Sequence, residues 1–153
     1  MEDTVFWEDI GEMIRVLVKR FGILNANCCD TCCGEEVSPA QSHIILEIGK
    51  RSCPSMQDVA KCLCMDITTF SRQIKTLEAR GLVTKSPDPG DKRINLLALT
   101  PEGTQVRNKI NNHMREYLNL LFSGMTEFER DTVVRSVKLL SEALENSGIC
   151  CFR

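Results

Sequence analysis

The chain has 153 residues, of which 42% are hydrophobic and 26% charged, with a formal net charge of −2. That length suits one compact domain, or a small domain with a dimerisation arm, and leaves no room for an independent catalytic domain. No run reaches the ~18 apolar residues that a membrane span needs, and the acidic start (Glu2, Asp3, Glu8, Asp9) lacks the basic opening of a secretory signal, so a cytoplasmic protein without a membrane partner is expected.

From the N-terminus, Phe6, Ile10, Met13, Ile14, Leu17, Val18 and Phe21 recur at steps of three and four, which predicts an amphipathic helix from Thr4 to about Leu24. Asn25 to Val37, with Gly34 and four cysteines, breaks that pattern and reads as a connection. Ser38-Pro39-Ala40-Gln41 then combines a capping serine, a proline at the first helical position and a glutamine that closes a capping box. The second helix follows, with Ile44, Ile45, Leu46 and Ile48 expected inside. Ser55 and Asp58 repeat the capping logic for a short third helix carrying Met56, Val59, Ala60 and Leu63, which stops near Cys64-Met65.

Asp66 caps a fourth helix whose inner face is expected to be Ile67, Phe70, Ile74 and Leu77, leaving Thr68, Thr69, Arg72, Lys75 and Thr76 outside. Gly81 ends it. Leu82 to Lys85 and Ile94 to Leu99 read as two short strands around the charged tip Pro87 to Arg93. Thr100-Pro101-Glu102 opens a long helix through Val106, Ile110, Met114, Tyr117, Leu118 and Leu121. Thr126 with Glu129 caps a last one through Val133, Val137, Leu140 and Leu144.

The acidic balance weighs against a polyanionic partner, because phosphate binding is driven by lysine and arginine. The distribution reverses the argument: between Ser71 and Arg93, Arg72, Lys75, Arg80, Lys85, Lys92 and Arg93 outnumber Glu78, Asp88 and Asp91. Two short helices joined by a tight turn, the second bearing hydroxyl and basic side chains outward, can place a helix in a major groove. The candidate DNA-binding residues are Thr68, Thr69, Ser71, Arg72, Lys75, Lys92 and Arg93. Arg93 suits a narrow minor groove, and Asp91 is placed to orient it. The plainer alternative, a solvated basic helix face, fits these charges taken singly but leaves the capped helix-turn-helix and hairpin unexplained.

The run from Asp66 to Thr100 resembles the MarR family of winged helix-turn-helix regulators. The resemblance rests on Leu77-Glu78-Ala79-Arg80-Gly81-Leu82-Val83, Asp88-Pro89-Gly90-Asp91-Lys92-Arg93 and Leu99-Thr100-Pro101-Glu102-Gly103. It implies a mainly α fold with a small β-wing and three segments: residues 1–37 as a dimerisation helix with a Cys-rich connection, 38–100 as the DNA-binding domain, and 101–153 as dimerisation helices with a Cys-containing tail. It also implies a homodimeric repressor that binds a pseudo-palindromic double-stranded DNA operator. The apolar terminal segments (Val5, Phe6, Trp7, Ile10, Phe122, Phe128, Val133, Val134, Leu140) agree with a two-chain stem.

Nine cysteines are heavy use for this length. Cys28, Cys29, Cys32 and Cys33 crowd six positions, and Cys150-Cys151 adds a vicinal pair. Thiols in a cytosolic protein stay reduced, which disfavours a disulfide framework. Soft thiolates favour zinc, copper(I) or a metalloid such as arsenite, and Cys29-x-x-Cys32 has ligand spacing. The expectation is a regulator whose DNA affinity is switched by a thiolate-bound metal or metalloid. A redox switch using the same thiols competes with it, as do incidental cysteines. Cys53, Cys62 and Cys64 read as incidental. His43 reads as a half-buried structural histidine first and a ligand second, and His113 ranks below it. A metal carrier without DNA binding is the alternative from another class. No glycine-rich phosphate loop, nucleophile elbow or paired catalytic carboxylates mark an enzyme.

Overall fold

The computed structural model describes residues 2–21 and 37–148, with side chains described for 8–20 and 37–148. Its elements are α1 (Glu2–Phe21), α2 (Pro39–Lys50), α3 (Met56–Cys62), α4 (Ile67–Ala79), β1 (Val83–Pro87), β2 (Asn95–Leu99), α5 (Pro101–Phe122) and α6 (Glu127–Ser147). The fold is mainly helical, with β1 and β2 paired antiparallel so that Val83 faces Leu99 and Pro87 faces Asn95.

Local chemistry sets the element starts. Ser38 and Gln41 form a reciprocal capping box at α2, Ser55 accepts from the Asp58 amide at α3, and Asp66 accepts from the Thr69 amide at α4. Thr100 caps α5, and Thr126 with Glu129 forms a second capping box at α6. Each cap gives an acceptor to an amide that has no partner inside its helix.

The core lies between α2, α3, α4, the wing and the start of α5. Ile44, Ile45, Val59, Phe70, Ile74, Leu77 and Leu97 are completely buried, and Val106 and Ile110 of α5 close one side. Leu46, Met56 and Leu63 pack against this core from its edge. Ile67, expected inside, is 50% exposed. It is the first residue of α4, one turn before Phe70, and lines a surface cleft toward the wing, an end effect that the hydrophobic period alone does not register.

Two contacts lock the wing to the helices. Leu97 N–H donates to the Pro54 carbonyl at 2.9 Å, and Ser55 forms a bridge to Leu96, so the segment before α3 serves as a short third line of the sheet. On the other side Gly103 lies against the Leu82 backbone, where a Cβ would meet the Leu82 carbonyl. The Thr100 hydroxyl donates to the Gly81 carbonyl at 2.7 Å. Helix α5 is thereby seated directly on the strand that follows α4.

The terminal helices are different. No residue of α6 is buried. Phe128, Val134, Val137, Leu140 and Leu144 are all exposed on it, as are Met13, Leu17 and Val18 on α1. Between α1 and α5 lies an open groove of about 710 Å³ lined by Asp9, Glu12, Met13, Val16, Leu17, Arg20, Tyr117 and Leu121. Among the described residues no helix is long and apolar enough to cross a membrane.

Candidate nucleic-acid interface

Helix α4 owes its outward face to its inward one. Phe70, Ile74 and Leu77 recur at four and three residues, are fully buried, and turn Thr68, Thr69, Arg72, Lys75 and Thr76 to solvent. Ser71 is half-buried. The Thr76 hydroxyl donates to the Arg72 carbonyl at 3.1 Å, so part of its hydrogen-bonding capacity is used within the helix. Among the described residues Arg72, Lys75 and Lys92 form no ion pair, while Lys85 lies 3.8 Å from Glu78.

The wing tip is organised by two aspartates. Asp88 Oδ1 accepts from the amides of Gly90 at 2.6 Å and Asp91 at 3.0 Å, folding the turn. Asp91 Oδ1 then accepts from the Arg93 amide and from Arg93 Nε, each at 3.0 Å, and its Oδ2 accepts from Arg93 Nη2 at 2.9 Å. This two-pronged contact fixes the guanidinium plane. The Arg93 side chain remains 90% exposed. The Arg93 hydrogen bonds hold the Asp91 carboxyl below its ordinary value, and the same pairing pushes Arg93 further up.

Helix α4 and the wing meet in a cleft of about 280 Å³ lined by Ser55, Met56, Gln57, Ile67, Ser71, Lys85, Arg93, Ile94 and Asn95. The structure thus joins Ser71 and Arg93 on one concave face. Sequence reading missed Ser55, Gln57, Ile67 and Asn95 as part of it. Lys85 of β1 lines it too, but nothing in the chain order announces that the α3 start folds over to the same place.

The cysteines divide. Cys28, Cys29, Cys32, Cys33, Cys150 and Cys151 lie outside the described residues. Among the described residues no group of three His, Cys, Asp or Glu side chains could hold a metal ion. His43 is exposed rather than half-buried, because position 43 of α2 points away from the core that Ile44 and Ile45 enter. Cys53 and Cys62 are exposed free thiols. Cys62 donates its S–H to Glu47 Oε1 at 3.2 Å, and Glu47 also pairs with Lys50 at 3.1 Å and Arg51 at 3.0 Å. Burial pushes the Glu47 carboxyl up, but the Cys62 thiol and the two cations outweigh it and hold it below the usual range. Burial and the Glu47 carboxylate push the Cys62 thiol up. Cys64, expected to be an incidental turn thiol, is disulfide-bonded.

A helix-turn-helix followed by an arginine-tipped hairpin defines a winged-helix protein of the nucleic-acid-binding kind. Residues 37–94, the winged-helix unit, match the model of the MarR family of DNA-binding transcriptional regulators. Its relatives are regulators rather than enzymes. The chain is 24% identical over 142 residues to the HTH-type transcriptional repressor NicR of Pseudomonas putida, spanning 92% of this chain and 87% of that one. It is 27% identical over 71 residues to the multiple antibiotic resistance protein MarR of Salmonella typhimurium, covering 46% and 49% of the two chains. Among solved structures, Streptococcus pneumoniae FabT in complex with DNA superposes with a TM-score of 0.81 at 20% identity, covering 92% of this chain and 98% of that one. A mutant MarR from E. coli complexed with operator DNA superposes at 0.70 and 21% identity, covering 86% and 93%.

Proposed function

We propose that this chain acts as a homodimeric repressor that reads a pseudo-palindromic operator, with α4 entering the major groove and Arg93 the adjacent minor groove. The carrying observation is the concave face on which Ile67 and Ser71 of α4 stand together with the Asp91-oriented Arg93. Thr68 and Thr69 lie in the first turn of α4, the end of a recognition helix that meets base edges. Arg72, Lys75 and Lys92 supply phosphate contacts, and Ser71 borders the cleft. The exposed apolar faces of α1 and α6 support the dimer, since a chain leaving that much apolar helix surface uncovered gains stability from a second copy.

The regulatory reading is that cysteine chemistry switches operator affinity. In the first form Cys28, Cys29, Cys32 and Cys33, with Cys150 and Cys151, bind zinc, copper(I) or arsenite, and binding favours a lobe spacing that does not fit DNA. The support is the chain's own composition and the Cys29-x-x-Cys32 spacing. Thiol oxidation is the second reading, and the disulfide at Cys64 is the observation that favours it. Gel shifts on the protein's own promoter region, at defined salt, test both. Loss of binding with arsenite, zinc or copper(I), and bound metal in anaerobically purified protein, supports the first. Loss only with peroxide or diamide, reversed by thiol, rejects it in favour of the second. A chain that shifts no DNA under any of these conditions refutes the regulator reading and leaves the metal carrier. Sedimentation of the protein as a monomer at micromolar concentration refutes the dimer.

A further inference from the structure

The face assigned to DNA is not polar throughout. Ile67, the first residue of α4, is 50% exposed, and Ile94, next to Arg93 on the wing, is 41% exposed. Both line the cleft between α4 and the wing, whose polar lining includes Ser71, Lys85, Arg93 and Asn95. Single apolar side chains on a surface are ordinary and need no partner. Ile67 differs in its place. The Asp66 side chain already caps the helix, accepting from the Thr69 amide at 2.9 Å, and Phe70, Ile74 and Leu77 fill the core beneath α4. Neither the helix start nor the packing therefore requires a branched aliphatic at position 67.

We propose that Ile67 reads the C5-methyl group of a thymine in each operator half-site, an inference that rests on α4 being the helix that enters the major groove. Ile67 and Ser71 stand one turn apart on the edge of α4 that faces the wing, beside the exposed Thr68 and Arg72. The N-terminal residues of a recognition helix are those that meet base edges, so Ile67 is placed against bases, whereas Lys75 lies two turns further along. Base pairs show donors and acceptors along the major groove, and the apolar group they show there is the thymine methyl. An aliphatic side chain pressed on a phosphate would strip water from the anion and return no hydrogen bond. Pressed on a methyl, it removes apolar surface from water on both partners. Ile94 provides the contrast. It travels with Arg93 toward the minor groove, which offers no methyl.

The test uses the full chain and a duplex of its promoter region in two forms, one with thymine and one with deoxyuracil, which lacks the methyl and keeps every hydrogen-bonding atom of the base. Burying one methyl group corresponds to about a fourfold change in affinity, so with both half-sites contributing the parent protein should bind the thymine duplex about fifteenfold tighter. Ile67→Ala should bind the two duplexes alike, close to the parent's affinity for the uracil form. Its salt slope should not change, because no charge is lost. It should also melt as the parent does, since the site is exposed, so the loss of preference is read on a folded protein. Ile94→Ala should keep the preference in full, and thymines replaced singly should place the effect at one position in each half-site.

Equal binding of both duplexes by the parent protein overturns the proposal while leaving the DNA reading in place. So does a thymine preference that survives Ile67→Ala. The same holds for a preference that disappears instead in Ile94→Ala, or in Thr68→Ser or Thr69→Ser, which remove a side-chain methyl and keep the hydroxyl. If the parent protein shifts neither duplex, the DNA reading falls and the methyl contact falls with it.

Discussion

Replacing Arg93 with alanine removes one cation from the most exposed point of the wing, and its effect on DNA follows from charge counting. The side chain is 90% exposed, and among the described residues its hydrogen bonds run to Asp91 alone. Its loss should therefore leave the melting temperature and the dimer unchanged. A homodimer presents two wings. At a slope of about 0.9 per neutralised phosphate, losing both contacts makes the plot of log affinity against log salt shallower by about 1.8, which corresponds to about 60-fold weaker binding at 0.1 M salt relative to a 1 M reference. The assay is fluorescence anisotropy on a promoter-region duplex across a salt series. Asp91→Ala serves as the partner experiment. It keeps the Arg93 cation but releases the guanidinium plane and removes a carboxylate from the tip, so the slope should not become shallower and sequence selectivity should fall. An Arg93→Ala protein that is folded and dimeric, with unchanged slope and affinity, would refute a role for the wing in DNA contact.

Other expectations follow from the packing and the titrating groups. Phe70→Ala empties a fully buried site beneath α4 and should cost about 3–5 kcal/mol in urea unfolding, removing DNA binding with it. Gly103→Ala brings a Cβ against the Leu82 backbone, with the carbonyl carbon at 2.9 Å, and should cost about 1–3 kcal/mol while shifting α5 relative to the wing. Hydrogen bonds from Thr69 depress the Asp66 carboxyl below its ordinary value of 3.8. A depressed acid stabilises the fold above its unfolded pKa and loses that effect as pH falls through the lower folded value. Asp66→Asn, which keeps an acceptor for the cap, should accordingly flatten the acid side of the thermal-stability profile below about pH 4, and an unchanged profile would remove Asp66 from the account. Because Glu47 holds the Cys62 thiol protonated, Glu47→Gln should speed alkylation of Cys62 by iodoacetamide, as read by mass spectrometry of its peptide.

The residues that announce themselves in the chain are those whose chemistry is local. Serine, threonine and aspartate caps, a proline at the first helical position and a glycine after α4 place the starts of α2 to α6 and the α4 stop, because each satisfies an amide or a dihedral within four residues of itself. The Asp91-x-Arg93 pair is of the same kind, since both partners sit on one turn and need no other element to meet. Interaction across elements was legible only as an expectation. The inward stripe of α4 was readable except at Ile67, where exposure depends on how far the helix end stands from the core.

What escaped the one-dimensional pattern is set by distance in the chain. The closeness of Ser55 and Gln57 to Ser71 and Arg93 requires that the segment before α3 pair with β2, a contact some forty residues apart that alternation and propensity do not encode. The Gly103 seat on Leu82 and the Glu47 grip on Cys62 likewise arise when packed helices bring side chains together after folding. Cys64 shows both limits at once. Its turn was readable from the sequence, but its left-handed backbone and its disulfide were not, because a sulfur's partner is chosen by proximity in space and by oxidation state rather than by spacing along the chain.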